Sequence, residues 1–271
     1  MKRLTQIHFI RCIAIMLCLL LPVAGDCAQG VVEVYIPQPR QAGKDVIWLP
    51  TEQELVDAML DMAKVTPSDY VIDLGSGDGR LVITAAKRGA TARGIEYNPD
   101  LVEFARRAAI KEGVGAKATF EKADIFESDF SKATVVTMFL LEDLNFALRP
   151  KILAMKPGTR VVSNTFDMAD WTPDQTVRLE EISTYNTAFL WIVPAEVNGT
   201  WKMDNGQISF TQSFQNVTGT LNTMGKSTKL TGKLNGDKIK FNAGGTEYTG
   251  TVRGNTISGT RTGGGAWKAA R

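Results

Sequence analysis

The fold is decided by one stretch of the sequence, Val71-Ile72-Asp73-Leu74-Gly75-Ser76-Gly77-Asp78-Gly79-Arg80. An apolar run from 70 to 74 leads into three glycines at alternate positions, and residues 81–88 have the pattern of a helix. A strand, a glycine turn and a helix in this order bring free backbone N–H groups and a helix N-terminus up to a ligand. A Cβ atom in the turn would block either the tight turn or the approach of that ligand. The stretch therefore predicts a ligand-binding turn in an α/β sheet.

Strand and helix patterns alternate on both sides of this turn. Thr51 and Glu54 have the spacing of a capping box, which predicts a helix that begins at Thr51 and is closed by Pro67. Further strands are predicted at 92–96, 117–123, 133–140 and 159–163, with helices at 98–112 and 143–155 between them. A closing pair at 176–183 and 186–193, joined by a tight turn, follows. The pattern predicts an α/β fold, a doubly wound Rossmann-like sheet with a final antiparallel strand pair.

The pattern changes near residue 199, where helical periodicity ends. Short Thr- and Lys-rich segments alternate with turn pairs such as Asn205-Gly206 and Gly254-Asn255, which favour two-residue hairpins. We expect six to eight antiparallel strands here, forming a small all-β meander or a closed barrel. The chain is accordingly divided into an N-terminal segment (1–28), an arm (29–50), an α/β domain (51–197) and a C-terminal β domain (198–271).

The N-terminal segment has the layout of a secretory signal peptide. Lys2, Arg3 and Arg11 precede a ten-residue apolar run at 12–21, and small residues follow. We expect cleavage and export to the periplasm or cell envelope, with no stable transmembrane span afterwards; a short membrane anchor is the alternative. Cleavage would remove His8, the single histidine of the chain, together with the cysteines. The mature protein is then expected to lack disulfides, a histidine-based metal site and a Ser-His-Asp nucleophile.

The charge is divided between the two predicted domains. Residues 29–198 contain 18 basic and 25 acidic residues, a net charge of −7, whereas residues 199–271 contain 10 and 3, a net charge of +7. Opposite charges on two consecutive segments favour two domains over one. The basic C-terminal domain either binds an anionic partner or simply docks on the acidic domain. Its aromatic residues alternate like core residues, so no nucleic-acid partner is expected.

The spacing of the glycine turn selects between two kinds of ligand. Dinucleotide enzymes show G-x-G-x-x-G, but here the spacing is G-x-G-x-G and Asp78 would repel a pyrophosphate. Asp73 suits a ligand with a cationic amino group, such as S-adenosylmethionine. Glu96 ends the next strand, where its carboxylate can accept ribose hydroxyls, and Asp124 with Ile125 ends the third strand beside the expected adenine. Three acids at successive strand ends indicate one binding site.

From about residue 46 to residue 193 the sequence resembles the class I, seven-strand S-adenosylmethionine-dependent methyltransferases. The segment 73–79 is similar to that family's first motif, and its wording is similar to protein-lysine methyltransferases of the non-SET type. The resemblance implies S-adenosylmethionine as cofactor, and the implied cofactor-binding residues are Asp73, Gly75, Ser76, Gly77, Asp78, Gly79, Glu96, Asp124 and Ile125. The segment 138–145 departs from the Asn/Asp-Pro-Pro-aromatic wording of amino-directed enzymes.

The acceptor side is expected beyond the fourth and fifth strands. Glu142, Asn145 and Asn164 are the predicted catalytic residues; Glu142, Asp143 or water would take the proton of an amine acceptor. Phe139 and Trp171 are expected as apolar or cation–π walls, with core packing as the alternative for both.

The expected function is methyl transfer to a protein, at a lysine-type amine, or to another small nucleophile. The alternative is a degenerate methyltransferase fold that is exported and binds an anionic partner through its basic C-terminal domain. Export is in tension with a cofactor that is made in the cytosol.

Overall fold

The structure, a computed structural model, describes residues 35–181 and 184–271 of the 271-residue chain. The predicted signal peptide at residues 1–28 lies outside these ranges and stays a prediction, as do residues 29–34 of the predicted arm. Within the described ranges, none of the helices combines the length and the apolarity that a membrane crossing requires.

A seven-stranded mixed sheet forms the α/β part of the protein. Its strands lie in the order β3-β2-β1-β4-β5-β7-β6, and β7 runs antiparallel to both of its neighbours. The strands are β1 (Tyr70–Leu74), β2 (Thr91–Glu96), β3 (Ala118–Lys122), β4 (Val135–Met138), β5 (Arg160–Asn164), β6 (Gln175–Arg178) and β7 (Thr187–Ile192). The strand order reverses between β1 and β4, and ligands of open α/β sheets bind at such a switch point.

The sheet is buried on both faces because helices cover each side. The helices are α1 (Gln53–Met62), α2 (Arg80–Lys87), α3 (Pro99–Lys111) and α4 (Glu142–Leu153). Every residue of the central strand β4 is buried, as its continuous apolar sequence predicts. One apolar cluster joins α1, α2 and α3 to the sheet, and a second lies on the other face with α4.

Two local expectations are wrong. The helix predicted to begin at Thr51 begins at Gln53, and the N-cap position is held by Glu52 without a side-chain hydrogen bond. Thr51 is engaged elsewhere, because its carbonyl accepts from Arg80 and its hydroxyl accepts from Asn164. The tertiary contacts of Thr51 thus replace the capping box.

The closing strand pair differs from the expectation in its connection. β6 and β7 do pair antiparallel, with Arg178 opposite Thr187. The first strand, however, ends at Arg178 and not at 183, so the segment 179–186 replaces the expected tight turn. Tyr185, near the end of this longer connection, contributes its ring to the site described below.

A closed eight-stranded antiparallel barrel follows, so the barrel alternative of the sequence analysis is the one observed. Its strands are β8 (Gly199–Met203), β9 (Gly206–Ser213), β10 (Asn216–Thr223), β11 (Lys226–Asn235), β12 (Lys238–Ala243), β13 (Thr246–Arg253), β14 (Thr256–Arg261) and β15 (Ala266–Ala270). Buried side chains such as Trp201, Phe241 and Trp267 fill the interior. Gly219 and Gly259 allow the strands to coil, because a Cβ at either would lie 1.8 Å from a carbonyl oxygen of the neighbouring strand.

The barrel packs against the sheet domain through a small polar and aromatic contact. The indole N–H of Trp171 donates to Gln215 at 2.9 Å, and both side chains are almost fully buried. The ring of Trp171 also stacks on Phe214, with centroids 5.6 Å apart. Lys233 of the basic barrel forms an ion pair with Asp174 of the acidic domain at 2.9 Å.

Candidate active site

A pocket opens at the carboxyl ends of β1, β2, β3 and β4, where the strand order reverses. With its mouth to solvent it measures about 960 Å³. Eight of the nine residues predicted to bind the cofactor line it: Asp73, Gly75, Ser76, Gly77, Asp78, Glu96, Asp124 and Ile125. The sheet brings them together because parallel strands end at the same edge.

The glycine turn is tied to the neighbouring strand by its own backbone. The N–H groups of Gly75 and Ser76 both donate to the carbonyl of Ile95, and that of Gly77 donates to Glu96 at 2.9 Å. Gly75 and Gly77 have φ angles of +77° and +53°, a region that side chains with a Cβ rarely adopt. The turn is therefore a bare backbone cradle on the floor of the pocket.

Gly79 has a different place from the one predicted for it. It is the N-cap of α2 with φ +83°, and a Cβ there would lie 2.6 Å from the ring of Phe120 and 2.8 Å from Ala105. Its lack of a side chain thus serves the packing of α2 against α3 and β3. The assignment of Gly79 as a ligand contact is wrong, since the side of the residue that must stay bare faces the core.

Ser76 carries a buried hydroxyl that has no hydrogen-bond partner in the described part of the chain. The residue is 6% exposed and lines the pocket. Its side chain fits there because position 94 is a glycine, where a Cβ would lie 2.4 Å from the hydroxyl oxygen. An orphaned buried hydroxyl is costly, so its presence in a pocket wall indicates that a ligand supplies the partner.

Asp73 is the buried carboxylate of the pocket. It accepts a hydrogen bond from the hydroxyl of Thr137 at 2.7 Å. Burial raises the pKa of Asp73 to about 7; the bond from Thr137 opposes this change, while the nearby charges of Glu96 and Asp78 add to it. A carboxylate that is this poorly solvated is strongly favoured by a cationic ligand group.

Glu96 and Asp124 are held in defined orientations by backbone N–H groups. The two oxygens of Glu96 accept from Gly77 and from Asn98, both at 2.9 Å. Asp124 accepts from the N–H of Phe126 and pairs with Lys44 at 2.5 Å. The hydrogen bond from Lys44 keeps the pKa of Asp124 below its usual value.

Asp78 is neutralised within the turn. Its carboxylate receives hydrogen bonds from the guanidinium of Arg80, the shortest at 2.7 Å, and from the Arg80 backbone N–H. The same guanidinium donates to the carbonyl of Thr51 at 2.7 Å. Asp78 thus lines the pocket as part of an ion pair that fastens the chain before α1 to the glycine turn.

The arm closes one side of the pocket, which the sequence analysis does not predict. The segment 43–51 lines the cavity, and the ring of Trp48 lies so close to Gly77 that a Cβ there would be 2.3 Å from the indole nitrogen. The ammonium of Lys44 lies 5.4 Å from the centre of the Tyr97 ring. The irregular Pro- and Gly-containing sequence of the arm gave no periodic signal; a tryptophan and a lysine in such a segment were the available hints.

The three predicted catalytic residues are not brought together at the pocket. Glu142 is exposed at the start of α4. Asn145 is fully buried and donates to Ser163 and to the carbonyls of Phe166 and Asp167. Asn164 is also fully buried and donates to Thr51. Their observed contacts fix the loop after β5 and the chain before α1, so the structure gives them positioning contacts in place of the predicted catalytic ones.

The two predicted aromatic walls have different environments. Trp171 is fully buried between Trp191 and Phe214, which makes it a core residue. Phe139 lines the pocket just past β4, as expected, and it contacts Phe166 and Tyr185, which the sequence analysis does not single out. Among the described residues no group of His, Cys, Asp and Glu side chains is arranged to hold a metal ion.

The pocket fits S-adenosylmethionine by the chemistry of its own groups. The buried Asp73 awaits a cation, the hydroxyl of Ser76 lacks a partner, and the bare cradle at Gly75 and Gly77 admits a close ligand. Comparison with known proteins supports this. A family model described as the ANTKMT methyltransferase domain matches residues 73–175. A protein-lysine N-methyltransferase from Saccharolobus islandicus is 42% identical over 151 residues, which cover 55% of this chain and 94% of that protein.

The chain belongs to the class I methyltransferases related to protein-lysine methyltransferases. A human ATP synthase lysine N-methyltransferase is 33% identical over 58% of this methyltransferase and 68% of its own length. A crystal structure described as an RNA methyltransferase from Salinibacter ruber, in complex with S-adenosyl-L-homocysteine, is 47% identical with a TM-score of 0.52, and covers 55% of this chain and 96% of its own. S-adenosylmethionine is therefore the cofactor of this enzyme.

Proposed function

We propose that this methyltransferase methylates the side-chain amine of a lysine in a protein. The observation that carries the proposal is the 42% identity with a protein-lysine N-methyltransferase over 94% of that protein. A second supporting relative is an adenine nucleotide translocase lysine N-methyltransferase from mouse, 36% identical over 52% of its length. An exported binding module built on an inactive fold is not favoured, because the residues that hold the cofactor are in place.

The proposed cofactor contacts follow from the groups that line the pocket. Asp73 would pair with the ammonium of the methionine moiety, Glu96 would accept the ribose hydroxyls, and Asp124 with Ile125 would contact the adenine. Ser76 and the bare backbone of the glycine turn would line the chain between these ends. When bound, S-adenosylmethionine supplies a methyl group on a positively charged sulfur.

The protein's own part in catalysis is binding, alignment and exclusion of water. Trp48 and Leu140 close over the glycine turn from the arm and from the end of β4. Phe139 gives the pocket an apolar wall on the side of β4, where the methylenes of a lysine side chain can lie. An ammonium group that loses water against such a wall has a lowered pKa, so that its proton leaves more easily to solvent.

The test separates protein from RNA as acceptor. The purified full-length chain is incubated with radiolabelled S-adenosylmethionine and an extract of the source cells, and the extract is then divided between protease and ribonuclease. The proposal expects label that protease releases and that mass spectrometry locates on lysine. Label that ribonuclease releases would refute the proposal. The Asp73→Asn variant serves as the inactive control.

A further inference from the structure

Three aromatic rings meet above the carboxyl ends of β4 and β5. Phe139 follows β4, Phe166 follows β5, and Tyr185 precedes β7. The ring centroids of Phe139 and Tyr185 are 5.4 Å apart at an interplanar angle of 61°, and those of Phe166 and Tyr185 are 6.4 Å apart at 42°. Phe139 and Phe166 are 6.3 Å apart. We call these three residues the aromatic rim.

The aromatic rim borders the half of the pocket that the cofactor residues leave free. The residues that fit the cofactor follow β1, β2 and β3, on one side of the point where the strand order reverses. Phe139 belongs both to the wall of the pocket and to the rim, on the other side of that point. A molecule that reaches the cofactor from the β4–β5 side therefore passes the rim.

The rim is not part of the packed core. Trp171 and Trp191 of the core are fully buried, whereas Phe139 and Phe166 are partly exposed and Tyr185 is 36% exposed. Rings that stay in contact with solvent at the mouth of a pocket are available to a ligand.

Backbone strain and a buried amide hold the rim in place. Thr165 has φ +63°, an unfavourable value for a β-branched residue, and its N–H donates to the carbonyl of Thr187. The amide of Asn145 donates to the carbonyl of Phe166 at 3.0 Å. Such strain persists only where the surrounding structure enforces it, and it is found preferentially at functional sites. The sharp reversal places Phe166 beside Phe139 and Tyr185.

We propose that the aromatic rim is an amine-binding subsite that holds a lysine side chain and binds the methylated ammonium more tightly than an uncharged group of the same shape. This rests on the proposed function and adds the residues and the selectivity of the acceptor site. The faces of aromatic rings attract ammonium groups, most strongly when the group is partly removed from water. N-methyl groups add apolar surface and keep the charge, so they strengthen the contact.

A flat nucleobase fits the rim less well. The rings of Phe139 and Phe166 are inclined to that of Tyr185, and only Tyr185 among the three is exposed enough to stack on a base. The acidic segment 29–198, with its net charge of −7, also disfavours a polyphosphate chain.

The experiment compares two probes that differ only in charge. The full-length protein, saturated with S-adenosyl-L-homocysteine, is titrated with Nα-acetyl-Nε-trimethyllysine amide and with its neutral isostere, in which carbon replaces the quaternary nitrogen. Binding is followed by NMR. The charged probe is expected to bind about two- to thirty-fold more tightly, the range that cation–π contacts supply. Equal affinities of the two probes would overturn the proposal.

Variants of Tyr185 locate the effect. Tyr185→Ala is expected to abolish the preference for the charged probe, whereas Tyr185→Phe, which keeps the ring, retains it. Phe189→Leu is the matched control, because Phe189 contacts Trp191 and not the rim. All three should bind S-adenosyl-L-homocysteine like the wild type, since neither Tyr185 nor Phe189 lines the cofactor pocket.

The outcomes separate the subsite from the proposed function. Methyl transfer to protein lysine without a preference for the charged probe would contradict the subsite and leave the function standing. A preference that Tyr185→Ala abolishes, together with label found only on RNA, would contradict the function. Displacement of the charged probe by a single-stranded oligoribonucleotide would assign the rim to a nucleic acid and overturn the amine subsite.

Discussion

Replacing Asp73 by asparagine is expected to stabilise the protein without its cofactor and to weaken cofactor binding. Burial raises the pKa of Asp73 to about 7, from 3.8 for an exposed aspartate. Between these two values the folded protein binds more protons at this site than the unfolded chain, so the free energy of unfolding falls as the pH rises. A pKa difference of roughly 3 corresponds to about 4 kcal/mol at pH 8, as an order of magnitude.

The asparagine variant removes this penalty. Its carbonyl oxygen can still accept the hydrogen bond of Thr137, which now reaches Asp73 at 2.7 Å. At pH 8 we expect the variant to be more stable than the wild type by about 2–4 kcal/mol, and at pH 4 by nearly zero. With S-adenosyl-L-homocysteine the order reverses, because the ammonium loses its charged partner, and affinity should fall on the order of a hundred-fold.

Urea denaturation at several pH values, with and without the ligand, measures both effects. The informative quantity is the difference between variant and wild type, since it cancels the titration of the other carboxylates. Asp78→Asn is the matched control, because Asp78 is already paired with Arg80 at 2.7 Å and its replacement should not stabilise the protein. A difference between Asp73→Asn and wild type that does not change from pH 4 to pH 8 would refute the reasoning.

Three further substitutions test the arm, the turn and the barrel contact. Trp48→Ala removes the ring that lies against Gly77 and should weaken S-adenosyl-L-homocysteine binding about ten-fold in calorimetry; unchanged affinity would exclude the arm from the site. Gly79→Ala combines a φ of +83° with contacts at 2.6 Å and should lower the free energy of unfolding by about 2–4 kcal/mol, whereas Gly113→Ala, with φ +72° and open space around it, should lower it by only about 1 kcal/mol; equal losses would contradict the packing role. Gln215→Leu leaves a buried indole N–H without its acceptor and should destabilise the protein by about 1–3 kcal/mol in thermal denaturation, unlike the exposed Gln207→Leu.

The cofactor half of the site was accessible to sequence reasoning because its signals are local. Asp73, Glu96 and Asp124 each end a strand that can be recognised from its own apolar residues, and parallel strands place their ends at one edge. The spacing of the glycines likewise reports the shape of a turn within a few residues. Position along the chain was sufficient to bring these groups into one pocket.

The acceptor half was not accessible in the same way. Glu142 and Asn145 are three positions apart, yet one is exposed and the other is buried beneath the loop after β5. Which face of α4 covers the sheet depends on packing, and the sequence just after the strand does not specify it. Gly79 was misassigned for a related reason, because the neighbour that requires a glycine there is Phe120, far along the chain.

The sequence by itself determined the order of strands and helices, the glycine turn and the acids at the strand ends, since these depend on periodicity and on backbone conformation over short distances. Only the tertiary structure decided that Trp48 and Lys44 close the pocket, that Phe139, Phe166 and Tyr185 meet, and that the eight C-terminal strands close into a barrel. The physical reason is that these contacts join residues far apart in the chain, and their formation depends on the packing of the whole molecule.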